Sequence, residues 1–169
     1  MAVDSRRGLV FLFVGIGGAA AYLLYKRIRE GIDNVNTSQW PPAPNQAIGA
    51  LARAIAIAEG SPAFWNNPGD LTEGDAGGYQ LQRDPAGNVI VNSAGVVRFV
   101  NLADGVNALY RKLLNIQSGA SRVYSTALSL ADFAQIYTGG DNAAAWARNV
   151  AAELGLDPTQ NTVGDALGV

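Results

Sequence analysis

The residues of this chain best suited to chemistry are acids. Glu59 closes an apolar run in the stretch AIAIAEGSPAFWNNPGDL, from Ala54 to Leu71. It falls in phase with Ile48, Leu51, Ala52 and Ile55 on one helical face. Partial burial and the negative pole of a helix C-terminus both disfavour an ionised carboxylate, so both raise its pKa. A carboxyl shifted in this way can donate a proton near neutral pH, as a general acid must. Asp70, Glu73 and Asp75 lie in the loop that follows. Each is a candidate second carboxylate that would place a water or stabilise an oxocarbenium ion, against the plainer alternative of a solvated loop charge. Trp65, Tyr79, Phe99, Tyr137 and Trp146 offer aromatic faces for stacking on a sugar, or simply core bulk. Trp65 beside the turn and Tyr137 beside a Gly-rich loop are best placed for stacking.

Composition narrows the chemistry to those acids. The 169 residues contain neither Cys nor His. Thiolate nucleophiles, disulfides, Cys-ligated zinc and the usual base of serine and cysteine hydrolases are therefore excluded. Lysine occurs only at Lys26 and Lys112. Carboxylate chemistry remains, and cleavage of glycosidic bonds is its commonest use. The pattern implies no metal and no cofactor. A net charge of −2 supplies no basic field for nucleic acid.

The elements that would position these residues can be read from period and punctuation. A helix is predicted over Gln46 to Glu59, stopped by Gly60 and Pro62. Asn66 to Asp70 reads as a turn, with Pro68 and Gly69 at the centre of type II geometry. From Gly78 to Val100 the period shortens. GYQLQ, NVIV and VVRFV predict strands, separated by Asp84–Asn88 and Asn92–Gly95. Helices then return. One is capped by Asn101 or Asp104 and carries the stripe Leu102, Val106, Leu109, Leu113 and Ile116. A second opens on a capping box of Ser129 and Asp132, and a third is capped by Asn142 and ends at Gly155. The expectation is a mostly helical α+β domain with a small antiparallel β-lobe.

Ahead of it, Gly8 to Tyr25 is apolar and uncharged, long enough for a single transmembrane helix. Arg6 and Arg7 precede it, and Lys26, Arg27 and Arg29 follow. A cleaved signal peptide ending near Ala19-Ala20-Ala21 is the competing reading, weakened by the apolar residues beyond that site. The predicted organisation is a transmembrane anchor over residues 1–28, a Pro-containing linker over 29–45 and a globular domain over 46–169.

Three pieces in order, AEG....WNNPGDL, RFVNLADGVNALYRKL and IYTGGDNAAAWARNVAAELGLD, resemble phage-encoded lysozyme-like, lytic transglycosylase-type domains of virion proteins. The likeness covers Ala47 to Asp157. It implies a lysozyme-like fold and cleavage of the MurNAc–GlcNAc β-1,4 bond of peptidoglycan, with Glu59 as acid and base. It also implies that Asn66, Asn67, Pro68 and Gly69 border the cleft and that Tyr137 faces it. GGDN, at Gly139 to Asn142, departs from the group's Pro-containing version, and the β-lobe is longer than its minimal form. The partners implied are glycan strands, a membrane reached through the N-terminal helix, and other virion proteins. The location implied is a single-pass anchor in a virion membrane or host envelope. The rival expectation is a non-catalytic lysozyme-like module, structural or glycan-binding. It predicts a filled groove, or Glu59 paired with Arg53 or Arg148.

Overall fold

The computed structural model describes residues 36–60, 65–140 and 142–169. The anchor expected over residues 1–28 lies outside them. No helix among the described residues is long and apolar enough to cross a membrane.

The described residues form a mostly helical domain with six α-helices: α1 (Gln46–Glu59), α2 (Glu73–Ala76), α3 (Leu102–Gln117), α4 (Leu130–Tyr137), α5 (Ala143–Leu154) and α6 (Val163–Leu167). Helix α1 is the central element and packs on α5, α3 and α6. Its stripe of Ile48, Leu51, Ala52 and Ile55 is wholly buried, in a core that includes Leu109, Leu113, Phe133 and Val150. Asn45 caps its start, accepting from the Ile48 N–H at 2.9 Å. Gly60 ends it in the left-handed conformation that an L side chain resists, at φ 58°. Asn101 caps α3 and Ser129 caps α4, each accepting from an Asp N–H three residues on. Asn142 precedes α5 as predicted but makes no side-chain cap; at φ 55° it enters the helix from the left-handed region.

The three strands predicted between Gly78 and Val100 do not build a sheet. Isolated antiparallel bridges join Leu81 to Phe99, Arg83 to Val89 and Val91 to Val97. The three segments close on one another in a ring. Gln82 N–H donates to Arg98 at 2.8 Å, Arg98 N–H to Ile90 at 3.1 Å, and Ile90 N–H to Gln82 at 2.9 Å. Each short segment divides its backbone groups between two partners, so no pair has the consecutive bridges that make a ladder.

Two helices were not anticipated. Helix α2 is a single turn whose Thr72–Asp75 capping box satisfies its first N–H groups. Helix α6 is also short, opens on a Thr162–Asp165 capping box, and is tied to the start of α4 by a Ser129–Thr162 bridge. The end of the predicted linker lies against the domain. Trp40 meets Tyr110 edge-on at 6.3 Å, and the Tyr110 O–H donates to the Pro41 carbonyl at 3.3 Å.

Candidate active site

Glu59 reaches its surroundings from the last turn of α1, where the stripe that buries the helix runs out. Trp146 on α5 donates its indole N–H to Glu59 Oε1 at 2.8 Å. A buried indole needs an acceptor, and this carboxylate supplies it. Trp146 in turn stacks on Tyr137 of α4, with centroids 5.1 Å apart and planes at 29°. Phe133 and Tyr124 complete an aromatic wall, at 5.8 Å from Trp146 and 6.2 Å from Tyr137 respectively.

The turn after α1 delivers a second acid to the same place. The Asp70 carboxylate lies close enough for Glu59 to feel its charge. Burial, first, and the negative charge of Asp70, second, push the Glu59 carboxyl up from 4.5 to about 7. The Trp146 hydrogen bond and the Lys112 ammonium pull the other way, less strongly. Glu59 is therefore substantially protonated near neutral pH.

The turn has a different geometry from the one its sequence suggests. The left-handed conformation falls on Asn66 (φ 54°) and Asp70 (φ 46°), on either side of the turn, and not on Gly69. That excludes type II geometry, which would put positive φ on Gly69. Glycine is needed at 69 for space. A Cβ there would lie 2.9 Å from Leu109 Cδ1 and 3.1 Å from the Tyr137 hydroxyl. The same requirement explains Gly105 on α3, where a Cβ would lie 1.8 Å from the Asn66 carbonyl oxygen. Helix α3 thus presses the turn into place through a missing side chain.

The two asparagines serve this scaffold. Asn66 Nδ2 donates to the carbonyls of Phe99 at 3.2 Å and Val100 at 3.4 Å. Asn67 is 2 % exposed. Its Nδ2 donates to Leu71 at 2.9 Å and Val97 at 2.8 Å, and its Oδ1 accepts from the Leu71 N–H at 2.9 Å. Tyr137 O–H donates to the Gly69 carbonyl at 2.6 Å. Its hydroxyl pKa is driven well above 10, by burial first and then by the charge of Glu59, so it remains a donor.

Of the three candidate second carboxylates, only Asp70 is brought to Glu59. Asp75 is occupied by its capping box with Thr72 and by an ion pair with Lys112 at 3.1 Å. Glu73 is exposed and lines a separate open groove of about 480 Å³ with Tyr79, Leu81, Arg83 and Val100. Tyr79 therefore belongs to that groove, with the Arg111 guanidinium 5.9 Å from its ring centroid. Trp65 is half-buried, and its carbonyl accepts from the Phe99 N–H at 3.2 Å. Arg53 and Arg148 are both exposed, and neither is a charge partner of Glu59.

Lys112 is a further residue of this site that its place in the sequence does not single out. Its ammonium sits 4.7 Å from the Tyr137 ring centroid and 5.1 Å from that of Tyr124, with Asp75 on its remaining side. Asp75 and burial together push the Tyr124 hydroxyl up to about 12, burial being the larger cause. The signal available was that Lys112 is the domain's lone lysine and shares a helix face with Ala108 and Leu109. Among the described residues no group of three or more acids is arranged to hold a metal ion. The site pairs a protonated glutamic acid with an aspartate, beside an aromatic wall and one caged ammonium. No protein-family model, no curated protein and no solved structure matches the chain that builds it.

Proposed function

We propose that this chain cleaves the MurNAc–GlcNAc β-1,4 bond of peptidoglycan, with Glu59 as general acid and then base, in a lysozyme-like domain tethered to a membrane by Gly8 to Tyr25 as part of a phage virion. The observation that carries the reading is the Glu59 carboxyl at the end of α1, taking the Trp146 indole N–H at 2.8 Å in surroundings whose burial raises it to about 7. An acid so placed is charged with a proton at working pH and can also take one back. The ordered motifs at Glu59, Asn66 to Asp70, Gly105 and Tyr137 add the family resemblance.

The closeness of Asp70 to Glu59 favours one chemical outcome. Glycosidases that hydrolyse with two carboxylates hold them about 5–5.5 Å apart when retaining and about 6.5–9.5 Å apart when inverting, because a sugar ring or a water must fit between. Asp70 acts on Glu59 as a close like charge that raises its carboxyl, and not as a carboxylate set across such a gap. A single acid suffices when the substrate supplies its own nucleophile. Glu59 protonates the leaving oxygen, and the MurNAc 6-hydroxyl then closes on C1 to give an anhydro sugar. The open groove beside Tyr79 is the proposed path for a neighbouring part of the glycan strand.

Mass spectrometry of muropeptides released from purified walls by the full chain tests this. Anhydro ends are the expected product. Reducing ends would make the enzyme a hydrolase. Absence of any release would leave the non-catalytic, glycan-binding or structural module as the better account.

A further inference from the structure

We propose that Trp146 is the positioning residue of the general acid: its indole N–H fixes which oxygen of the Glu59 carboxyl carries the proton, and holds the charge that remains when the proton leaves. The inference deepens the proposed cleavage reaction and rests on it for its catalytic meaning. The indole Nε1 reaches from α5 to the last turn of α1 and meets Glu59 Oε1 at 2.8 Å. An indole N–H can only donate, so the oxygen it meets must offer a lone pair. In a protonated carboxyl the carbonyl oxygen is the better acceptor. Oε1 is therefore the carbonyl oxygen, and the transferable proton sits on Oε2.

The donor is fixed before the reaction begins. Trp146 is 5 % exposed, stacked on Tyr137 at 5.1 Å and packed on Phe133 at 5.8 Å. Tyr137 is pinned in turn. Its O–H donates to the Gly69 carbonyl at 2.6 Å, and the Lys112 ammonium lies 4.7 Å from its ring centroid. Helix α5 packs on both α1 and α4, so the same helix contacts set donor, acceptor and wall. A dipole held in this way needs no reorganisation when charge appears beside it.

That gives Trp146 a part in each half of the reaction. In the first half the Oε2 proton passes to the glycosidic oxygen as the C1–O bond breaks, and Glu59 becomes a carboxylate. A hydrogen bond to an ionised acceptor is about twice as strong as one to a neutral acceptor. The Trp146 contact therefore tightens as the proton departs, which favours the transition state over the ground state. In the second half the 6-hydroxyl oxygen bonds C1, its proton returns to Oε2, and the contact relaxes. The other groups felt at this carboxyl are Asp70 from the turn after α1, Lys112 from α3 and Tyr137 from α4. The two charges act through space, whereas Trp146 acts on one chosen oxygen.

The test uses the full chain with nitrogen-15 in its three indoles, followed by NMR against pH, beside the kinetics of wall cleavage. The Trp146 signal is assigned by elimination with Trp40→Phe and Trp65→Phe, so the wild-type reading does not depend on a Trp146 variant. The indole proton of Trp146 should move downfield as Glu59 ionises, with a midpoint at about 7, and Glu59→Gln should abolish that step. Trp146→Phe keeps a ring against Tyr137 and removes the N–H. Its kcat should fall about ten- to hundredfold, the worth of one hydrogen bond to a charged group, with KM little changed. The basic limb of its pH profile should move up, because the lost bond favoured the carboxylate. Loss of packing alone would admit water and move that limb down. A wild-type indole signal with no step near pH 7 would overturn the inference, and so would a folded Trp146→Phe that raises KM at unchanged kcat. A clear indole step in a chain that cuts no wall would uphold the pairing and sink the cleavage reading instead.

Discussion

Two turns of this domain draw on nearly the same residues and use them in opposite ways. The turn at Asp84–Asn88 is self-contained. Asp84 Oδ1 accepts from the N–H groups of Ala86 and Asn88, both at 2.9 Å, and its other oxygen accepts from the Asn88 amide at 3.1 Å. The turn at Asn66–Asp70 is held almost entirely from a distance. Its amides reach Val97, Phe99 and Val100, and its Gly69 carbonyl is taken by Tyr137. The first turn folds itself and lies in solvent. The second is folded by the rest of the domain, and its acid ends up against another acid. The consequence is electrostatic: hydrogen bonds lower the carboxyl pKa at Asp84, while burial and a like charge raise it at Glu59.

The strongest way to sharpen that contrast is Glu59→Gln, which keeps the shape and removes the proton. Wall cleavage should fall about 10²–10⁴-fold, the usual contribution of acid–base catalysis. Stability should respond with a defined sign. Glu59 in the folded chain has its carboxyl at about 7 against 4.5 for the free side chain. The stability it contributes is therefore full below 4.5 and is lost as pH rises through about 7. Each unit of that difference corresponds to about 1.4 kcal/mol, reduced here because the ionisation is shared with Asp70. Thermal midpoints of wild type and variant should diverge across this window. Parallel curves would show that Glu59 titrates as an exposed acid.

Asn67→Ala attacks the scaffold rather than the acid. It deletes an amide that makes three hydrogen bonds and strands the buried Leu71 N–H and Val97 carbonyl, while the Leu71 carbonyl keeps the Val97 N–H at 3.0 Å. The expected loss is about 2–4 kcal/mol in urea unfolding, with cleavage abolished or nearly so. A loss no larger than that of an exposed Asn would mean that the turn holds its shape without the clamp.

What the sequence made legible follows this same division between near and far. Helix α1, its Gly60 stop and the inward phase of Glu59 depend on neighbours within a turn or two, and they were read correctly. The partnership of Glu59 with Trp146 spans 87 positions and left no local trace. Asp70, Glu73 and Asp75 were indistinguishable as loop acids, because clamps on Gly69 and Leu71 decide which one meets Glu59. Gly69 misled in an instructive way. Glycine signals either positive φ or close approach, and the choice here is made by Leu109 and Tyr137. The three β segments were located, but their closure into a ring instead of a ladder depends on how they share partners. Helix α6 is too short for a hydrophobic period, and its capping box at Thr162 and Asp165 was the only cue.

Tyr137→Phe is a gentler break. It removes the hydroxyl that holds Gly69 while keeping the ring stacked on Trp146. One hydrogen bond is lost and a carbonyl is left to find water, so stability should fall by about 1 kcal/mol. Cleavage should fall by more than that loss alone implies, because Asp70 is the residue next to the released carbonyl. Equal proportional changes in Tyr137→Phe and in a Phe133→Leu control of the same wall would reduce the tyrosine to packing.

The smallest effect is expected at the other turn, and its value lies in its sign. Asp84→Asn keeps an oxygen that can accept from Ala86 and Asn88, so the turn survives. It removes only the charge. In the wild type the Asp84 carboxyl is lowered from 3.8, by the Asn88 side chain first and its backbone N–H second. A group lowered on folding contributes stability above its unfolded value and loses it as pH falls through the folded one. Wild type should therefore hold a small advantage at neutral pH, and the two midpoint curves should converge only below about pH 4, the opposite side of the scale from Glu59. Activity should be unchanged throughout, since nothing at Asp84 touches the acid pair. A separation that changed between pH 5 and 7 would show that this turn, too, is coupled to the site, and the division between a self-made turn and an imposed one would fail.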